Sequence, residues 1–387
     1  MVAAAISALL FFHDWPQFLG PNRNGVYTDS DVQWPTSFAW QQEVGEGFAA
    51  PVIAAGKVIL FHRRHGREIL EAFDAGTGKT VWTFSYETGY KDDFGFDEGP
   101  RSAPTVADGV VYSFGAEGIL HAVDLQSGRK IWRVDVGPWF NVPKGFFGAA
   151  CAPLVAGGMV YLNVGGKDIG VAAFAAANGK LKWKTAMDPA SYSSPVLASF
   201  GVVFFTRSGI VVADPSTGKV SYRLPWASRS HVSVNAATPV VDGNILFVSA
   251  SYGVGAIALD FSTAPPTRLW ANDDSLSSHY ATPVVKDGFL YGFHGRAEQG
   301  QELRAVELRT GKVAWKMPTF GAGSVTLIRD KLMVVRDDGQ IFQAVATPRN
   351  LEVLGNFKPL EGKIRAYPAV GNGLVCLRNS KVLACLR

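Results

Sequence analysis

The sequence has 387 residues, of which 47% are hydrophobic and 18% charged, and it contains 42 glycines. This composition supplies enough apolar side chains for a large core, and it excludes a disordered or low-complexity protein. The formal net charge is only +4 and no block of five or more like charges occurs, so the charge pattern does not indicate a nucleic-acid-binding protein.

The N-terminus begins with an apolar run, residues 2–12, that is too short to span a membrane. The run has the length of the hydrophobic part of a secretory signal, so we interpret residues 1–13 as an export signal or apolar leader. An apolar N-terminus packed on the surface is the alternative. Residues 14–35 then form an N-terminal extension, and residues 36–387 form a single domain.

An internal repeat runs through that domain and consists of two phrases. One phrase contains an Asp, a Thr-Gly or Ser-Gly turn and a Trp, and its clearest copies are residues 72–82 and 122–132. The other phrase, upstream of each copy, is a small residue followed by Pro and a Val-rich run. Its copies begin at Ala50, Ala103, Ala152, Ser194, Thr238, Thr282, Ser324 (without the Pro) and Tyr367. The chain therefore contains eight units.

Each unit contains four short runs of β-forming residues separated by turn signals, as in residues 103–106, 110–114, 120–124 and 130–134. Four strands in each repeat are typical of a β-propeller blade. The sequence thus predicts an all-β fold, an eight-bladed β-propeller of four-stranded antiparallel blades. No segment shows helical periodicity of useful length.

The ends of the chain predict how the ring closes. The last unit stops at residues 384–387 without its fourth strand, whereas residues 38–44 resemble a fourth strand with its Trp40. We therefore expect the N-terminal strand to close the last blade by pairing with residues 382–386, which hides both sheet edges. A bridge between Cys376 and Cys385 would require a register that places them opposite each other, and the sequence leaves it open.

The repeat chemistry predicts structural roles for its residues. The Gly of each turn can adopt a positive φ, and the preceding Asp can accept hydrogen bonds from turn amides. The aromatic residue that follows is expected to cover the seam between neighbouring blades. This set comprises Trp40, Trp82, Trp132, Trp183, Tyr222, Trp270 and Trp315.

One face of the predicted propeller carries the loops that join the blades and the loops between the second and third strands. The basic, acidic and aromatic candidates on this face are Asp97, Arg101, His231, His279, Tyr280, Arg296, Arg365 and Tyr367, together with Trp139 in the aromatic loop of residues 137–148. Such a channel mouth could bind an anionic ligand or the acidic segment of a partner. Solvated loop tips are the alternative. We expect no catalytic residue and no metal site.

The phrase at residues 72–82 resembles the tryptophan-docking repeat of the quinoprotein-like β-propellers, the pyrroloquinoline-quinone (PQQ) type repeat family. Residues 14–25 also resemble the leader of many exported bacterial members, in which Arg is commoner at the position of Leu19. The resemblance implies a bacterial periplasmic or otherwise exported protein. No cysteine lies near the N-terminus to carry a lipid anchor, so we expect no such anchor.

The family contains quinone-dependent alcohol and sugar dehydrogenases and a non-enzymatic scaffold of the outer-membrane assembly machinery. Alcohol-oxidising members carry adjacent cysteines and a calcium ion, and this chain has no adjacent cysteines. The resemblance therefore implies a non-catalytic, monomeric, cofactor-free scaffold that binds a protein or small anionic ligand and no nucleic acid. The alternative is a PQQ-dependent dehydrogenase with Ca²⁺, in which mouth arginines hold the quinone carboxylates and Asp97 is the base.

Overall fold

The computed structural model describes residues 13–185, 188–228, 230 and 233–387, so most of the leader predicted at residues 1–13 lies outside the described residues. The described residues form eight antiparallel sheets. The innermost strands of the first seven sheets contact each other in turn, and the first of them also contacts the innermost strand of the eighth sheet, so the sheets are arranged in a ring. The predicted eight-bladed propeller is confirmed.

Two short strands precede the blades, β1 (Val26–Tyr27) and β2 (Phe38–Glu43). Blades 1 to 4 each use four consecutive strands, numbered from the channel outwards. Blade 1 consists of β3 (Val52–Ala54), β4 (Lys57–Arg64), β5 (Arg67–Asp74) and β6 (Thr80–Glu87). Blade 2 consists of β7 (Thr105–Ala107), β8 (Val110–Phe114), β9 (Ile119–Asp124) and β10 (Lys130–Asp135), followed by a one-turn helix α1 (Val136–Trp139). Blade 3 consists of β11 (Leu154–Ala156), β12 (Met159–Gly166), β13 (Ile169–Ala175) and β14 (Leu181–Thr185), and blade 4 of β15 (Val196–Ala198), β16 (Gly201–Phe205), β17 (Gly209–Ala213) and β18 (Val220–Pro225).

Blades 5 to 7 repeat this order. Blade 5 consists of β19 (Val240–Asp242), β20 (Ile245–Ala250), β21 (Gly255–Asp260) and β22 (Thr267–Asn272). Blade 6 consists of β23 (Val284–Lys286), β24 (Phe289–His294), β25 (Glu302–Glu307) and β26 (Val313–Met317), with a 3₁₀ turn at Ala297–Gln299. Blade 7 consists of β27 (Gly323–Ile328), β28 (Lys331–Arg336), β29 (Ile341–Val345) and β30 (Glu352–Phe357). In the part of the chain that the structure describes, no helix is long and apolar enough to cross a membrane.

Blade 8 joins the two ends of the domain. It contains β31 (Ala369–Gly371), β32 (Leu374–Arg378) and β33 (Val382–Leu386), and its outermost strand is β2. In the antiparallel pair of β2 and β33, Trp40 lies opposite Cys385, which confirms the predicted closing strand. Cys376 lies directly opposite Cys385 with the two Cα atoms 4.0 Å apart, and the two cysteines form a disulfide.

A tryptophan from the outermost strand of one blade docks on a turn of the next. The indole nitrogen of Trp82 donates a hydrogen bond to the carbonyl of Leu125 (2.9 Å), and its ring lies against Gly128 in the turn between β9 and β10. A Cβ atom at Gly128 would lie 2.7 Å from that ring, and the residue has a φ of 69°. The turn therefore requires glycine for two reasons. The same hydrogen bond joins Trp40 to Ala75, Trp132 to Ala176, Trp183 to Pro215, Trp270 to Leu308 and Trp315 to Thr347.

The two seams without this tryptophan use other aromatic pairs. Between blades 4 and 5, the ring of Tyr222 meets Phe261 edge to face with the centres 5.3 Å apart. Next to the seam between blades 7 and 8, Trp34 contacts Phe357 of β30 edge to face at 5.7 Å. Aromatic contacts therefore accompany every seam.

The aspartates of the repeat hold the turns on which the tryptophans dock. Asp74 accepts hydrogen bonds from the backbone N–H (2.9 Å) and the hydroxyl (2.8 Å) of Thr77. These bonds lower the pKa of Asp74. Hydrogen bonds from Ser216 and Thr217 lower the pKa of Asp214 to about 2. The carboxylates are therefore ionised and act as acceptors, as the sequence predicts.

Residues 13–31 form a hairpin inside the central channel, which we call the axial hairpin. Its first leg begins beside the turn between β3 and β4, where Asp14 accepts the backbone N–H of Ala55 (3.1 Å). Leu19 lies at its far end and is 1% exposed, and the second leg, β1, pairs in parallel with β27 of blade 7. Most of the predicted N-terminal extension thus fills the channel.

We expect Gln42→Pro to open blade 8. The N–H of Val44 donates to Lys381 (2.8 Å), and N–H groups alternate along a strand, so the N–H of Gln42 also faces β33 whereas that of Gln41 faces the free edge. Removing the inward donor should lower the free energy of unfolding by about 2–4 kcal/mol. Gln41→Pro is the matched control, and an equal loss in both variants in denaturant unfolding would contradict the closure by β2.

We expect Gly128→Ala to destabilise the protein more than Gly109→Ala does. Both glycines have a positive φ, but an added Cβ at Gly109 would meet nothing within 4 Å. The backbone strain should cost about 1–2 kcal/mol in either variant, and the clash with Trp82 should add about 1–3 kcal/mol in the first. Thermal unfolding measures the difference in stability. Equal unfolding midpoints for the two variants would show that the Trp82 ring is not in close contact with the turn at Gly128.

Candidate functional site

The mouth is the face on which the loops that precede the innermost strands open. Arg101 and Arg365 lie in two such loops, before β7 and β31, and Phe48 lies in a third, before β3. The guanidinium carbons of Arg101 and Arg365 lie 5.4 and 5.5 Å from the centre of the Phe48 ring. Because blades 8, 1 and 2 are neighbours, the ring brings these two predicted residues together around one aromatic side chain.

A patch of phenylalanines adjoins these arginines. The ring of Phe94 lies 5.9 Å from that of Phe96 and 5.5 Å from that of Phe147. Phe94 is 53% exposed and Phe96 58% exposed, which is unusual for side chains of this size. Arg101 lies 4.9 Å from the Phe147 ring, and Arg365 lies 5.5 Å from the Phe96 ring. We call the following residues the aromatic–arginine cluster: Phe94, Phe96, Phe146, Phe147, Arg101, Arg207 and Arg365.

The side chain of Asp92 is buried and binds Phe94 and Arg101 of this cluster. Its carboxylate accepts hydrogen bonds from the backbone N–H of Phe94 (2.9 Å), the backbone N–H of Asp97 (3.1 Å) and the guanidinium of Arg101 (2.8 Å). Burial alone would raise the pKa of Asp92, but these donors outweigh it and the pKa lies below its usual value. The carboxylate is therefore charged at neutral pH and fixes both the Phe94 turn and Arg101.

Asp97 stabilises the same loop. It is 8% exposed, and its carboxylate accepts the backbone N–H of Gly99 (2.8 Å). Its backbone carbonyl also accepts a long hydrogen bond from Arg101 (3.3 Å). The two predicted residues Asp97 and Arg101 therefore lie close together, and the carboxylate of Asp92 accepts a hydrogen bond from each of them.

A second sector of the mouth contains His279, Tyr280 and Arg296. The Nε2 atom of His279 lies 3.0 Å from the hydroxyl oxygen of Tyr252, and the guanidinium of Arg296 lies 4.4 Å from the centre of the same Tyr252 ring. Burial lowers the pKa of His279, so the imidazole is neutral at neutral pH. The ring of Tyr280 packs on His279 at 5.5 Å. These three predicted residues therefore form one group around Tyr252.

The remaining predicted residues lie elsewhere. Tyr367 is 6% exposed, its hydroxyl accepts the backbone N–H of Thr282 (2.5 Å), and its ring meets Phe18 of the axial hairpin at 5.1 Å. Trp139 is 65% exposed on α1. His231 lies outside the described residues.

A cavity of about 640 Å³ lies beside the aromatic–arginine cluster. It opens between the mouth loops of blades 2, 3 and 4, and residues 137–149 line one side of it. The side chains around it combine aromatic rings with cationic groups: Tyr90, Lys91, Lys144, Tyr192 and Arg207. Tyr192 holds the lining loop, because its hydroxyl accepts the backbone N–H groups of Phe146 (3.0 Å) and Phe147 (3.2 Å).

The mouth does not fit a quinone and its calcium ion. Asp97 and Arg101, which that alternative needs, are bound to Gly99 and Asp92, and Phe18 and Leu19 fill the channel axis. Among the residues that the structure describes, no group of three or more His, Cys, Asp or Glu side chains could hold a metal ion. We derive no redox step for this mouth.

Sequence reasoning missed Asp92, Phe94 and Phe96. The signal was present, because two phenylalanines in an Asp- and Gly-rich loop, residues 92–97, have no place in a strand pattern. Their contact with Phe147 of the next interblade loop is a property of the folded ring and cannot be read from spacing.

Two proteins that are similar to this chain share one name. Two proteins called outer membrane protein assembly factor BamB, from Yersinia pestis and Salmonella typhimurium, are 23% identical over 286 residues and 25% identical over 280 residues. The alignments cover 67% and 68% of this chain and 68% and 67% of the relatives.

Solved structures share the fold. The crystal structure of BamB from Moraxella catarrhalis superimposes with a TM-score of 0.66 at 16% identity, covering 90% of this chain and 98% of that one. Quinohemoprotein alcohol dehydrogenase from Comamonas testosteroni superimposes with a TM-score of 0.69 at 14% identity, covering 96% of this chain and 80% of that one. The PQQ-type repeat family described as outer membrane protein assembly factor BamB matches residues 66–317, and the chain belongs to that family.

Proposed function

We propose that this protein is an exported, non-catalytic scaffold that binds a protein partner through the aromatic–arginine cluster. The observation that carries the proposal is the exposure of Phe94 and Phe96, which are more than half exposed although they contact each other and neighbouring rings. Clustered aromatic and arginine side chains of this kind dominate the energetics of protein interfaces. The names of the relatives support a partner in the assembly of outer membrane proteins, and therefore a periplasmic location.

The cluster also indicates the chemistry of the partner segment. Arg365 stacks on Phe48 and Phe96, and its Nε atom is buried without a hydrogen-bond partner among the described residues. Asp92 binds Arg101, so the flat face of the Arg101 guanidinium lies towards the phenylalanine rings. A segment that places an apolar side chain on Phe94 and a carboxylate near Arg365 would complete this surface.

A second candidate ligand is favoured by the cavity of about 640 Å³. Three cationic side chains, Lys91, Lys144 and Arg207, line it with one acid, Glu117. Lys91 and Lys144 also pair with Glu98 and Asp93, so a small carboxylate or phosphate compound would compete with these acids for the lysines. We expect such compounds to raise the melting temperature of the wild type, and to do so less in Lys144→Ala. Equal shifts in the two proteins, measured by thermal unfolding, would exclude the cavity as the binding site.

We expect the double variant Phe94→Ala/Phe96→Ala to lose its partner while the fold is kept. Truncated interface aromatics commonly cost about 2 kcal/mol each, so binding should weaken at least tenfold. Co-purification of the partner with the double variant and with the wild type measures the loss of binding. Photo-crosslinking in the source bacterium locates the site, from a probe at position 96 of the otherwise wild-type chain and from a matched control probe at Leu354, which is 46% exposed on the outer strand of blade 7.

The proposal expects cross-links to a component of the outer membrane protein assembly machinery from position 96 and none from position 354. Cross-links from position 354 alone would contradict it, as would unchanged partner binding by the double variant. Thermal unfolding of the variant should match the wild type, because exposed side chains contribute little to stability.

A further inference from the structure

The first leg of the axial hairpin is bound to the innermost strands of two blades. Trp15 exchanges backbone hydrogen bonds with Ile53 of β3, donating at 2.8 Å and accepting at 2.9 Å. The carbonyl of Pro16 then accepts the N–H of Val106 in β7 (2.7 Å). The leg thus lies along the channel wall like an added strand, and its backbone polar groups find partners in blades 1 and 2.

The second leg is bound to another part of the wall, at blade 7. The carbonyl of Gly25 accepts the N–H of Leu327 (2.8 Å), and the carbonyl of Tyr27 accepts the N–H of Arg329 (2.7 Å), so that β1 continues the sheet of blade 7. A Cβ atom at Gly25 would lie 2.8 Å from Val284 in blade 6. The channel is therefore shaped closely around this leg.

Arg23 binds a third part of the wall. It is 3% exposed, and its two terminal nitrogens donate to the carbonyls of Pro153 (2.8 Å) and Ala152 (2.9 Å), at the start of blade 3. A guanidinium with several donors can bind two carbonyl groups at once. A buried cation held by carbonyl groups alone is a specific contact.

The tip of the hairpin uses small residues of the repeat. Leu19 and Phe18 pack against Ala50, Ala103 and Ala152, which are the small residues of three blades, and against Tyr367. A Cβ atom at Gly20 would lie 2.7 Å from the Trp15 ring, so the turn after Leu19 is closed by a residue without a side chain. The channel thus distinguishes this segment by size as well as by hydrogen bonding.

We infer that the central channel is a peptide-binding site, that its ligand is a segment with aromatic and aliphatic anchor residues which turns at a Gly-Pro pair and carries one arginine, and that the chain's own residues 13–31 occupy it. The contacts described above belong to side chains and backbone groups of the segment itself. They do not need the covalent connection to the rest of the chain.

The connection can be cut without touching those contacts. Thr28 and Ser30 are exposed on the stretch that leaves the channel, and the following residues are held separately, since Trp34 contacts Phe357 and Thr36 donates to Arg387 (2.7 Å). A protease recognition sequence inserted after Asp29 in the full chain would therefore release the hairpin as a separate peptide.

The experiment cleaves this protein in the folded state and follows the released hairpin peptide, which ends at Asp29, by gel filtration. A fluorescent synthetic peptide of residues 13–29 is added in excess. We expect the cleaved hairpin to stay with the propeller and the fluorescent peptide to replace it slowly. In Arg23→Ala the release should be at least about tenfold faster, because two charge-assisted hydrogen bonds are lost. Asn22→Ala is the matched control, since Asn22 is exposed at the turn, and it should release the hairpin at the wild-type rate.

Loss of the hairpin from the cleaved wild type during gel filtration would overturn the inference, whether or not the propeller stays folded. Equal release rates in Arg23→Ala and the wild type would also overturn it, as would replacement by a scrambled peptide at the same rate. None of these results depends on the partner proposed for the mouth.

Discussion

The docking of an indole ring on a glycine turn is the contact on which the rest of this molecule depends. Five tryptophans make it, and each one fastens the outer strand of a blade to the next blade through a ring contact and one hydrogen bond. A sixth, Trp315, makes the same hydrogen bond to a turn without glycine. Burial of a tryptophan contributes several kcal/mol, and the hydrogen bond about 1 kcal/mol. Because these contacts lie far from the channel, they set the angle between blades and leave the loops at the mouth free to differ.

The channel is where the ring would otherwise be least well packed. Short innermost strands of three residues and small side chains such as Ala50 and Ala103 keep the blades close to the axis, yet a space remains. The chain fills it with Trp15, Leu19 and Tyr27, each no more than 2% exposed. The axial hairpin therefore supplies the centre of the core, and it also forms the floor below the mouth.

Much of the fold could be predicted from the sequence because it depends on short sequence motifs that recur in each blade. The Asp–Gly–Trp phrase predicts a turn and a seam wherever it occurs, and counting the copies of the small-residue–Pro phrase gives the blade number. The missing last strand predicts the closing role of residues 38–44 by the same counting. Each of these inferences needs only the residues of one unit.

The site could be predicted only in outline. The sequence places Arg101 and Arg365 in loops of the same face, but their contact with one Phe48 ring depends on how far each blade is turned from its neighbour. The disulfide between Cys376 and Cys385 depends likewise on register, which no local pattern sets. The path of the extension was missed because no repeat describes it and its partners are spread over several blades.

The shared sheet of blade 8 has a consequence for the order of events during synthesis. Its outermost strand, β2, is made before the other seven blades, whereas its partner strand, β33, is made after them. The seven blades can stack as they emerge, but β2 has no partner until β33 has been made. The disulfide joins β32 to β33 and leaves β2 bound by hydrogen bonds and packing alone. Until those seven blades have been made, β2 therefore has to be kept from pairing with other chains.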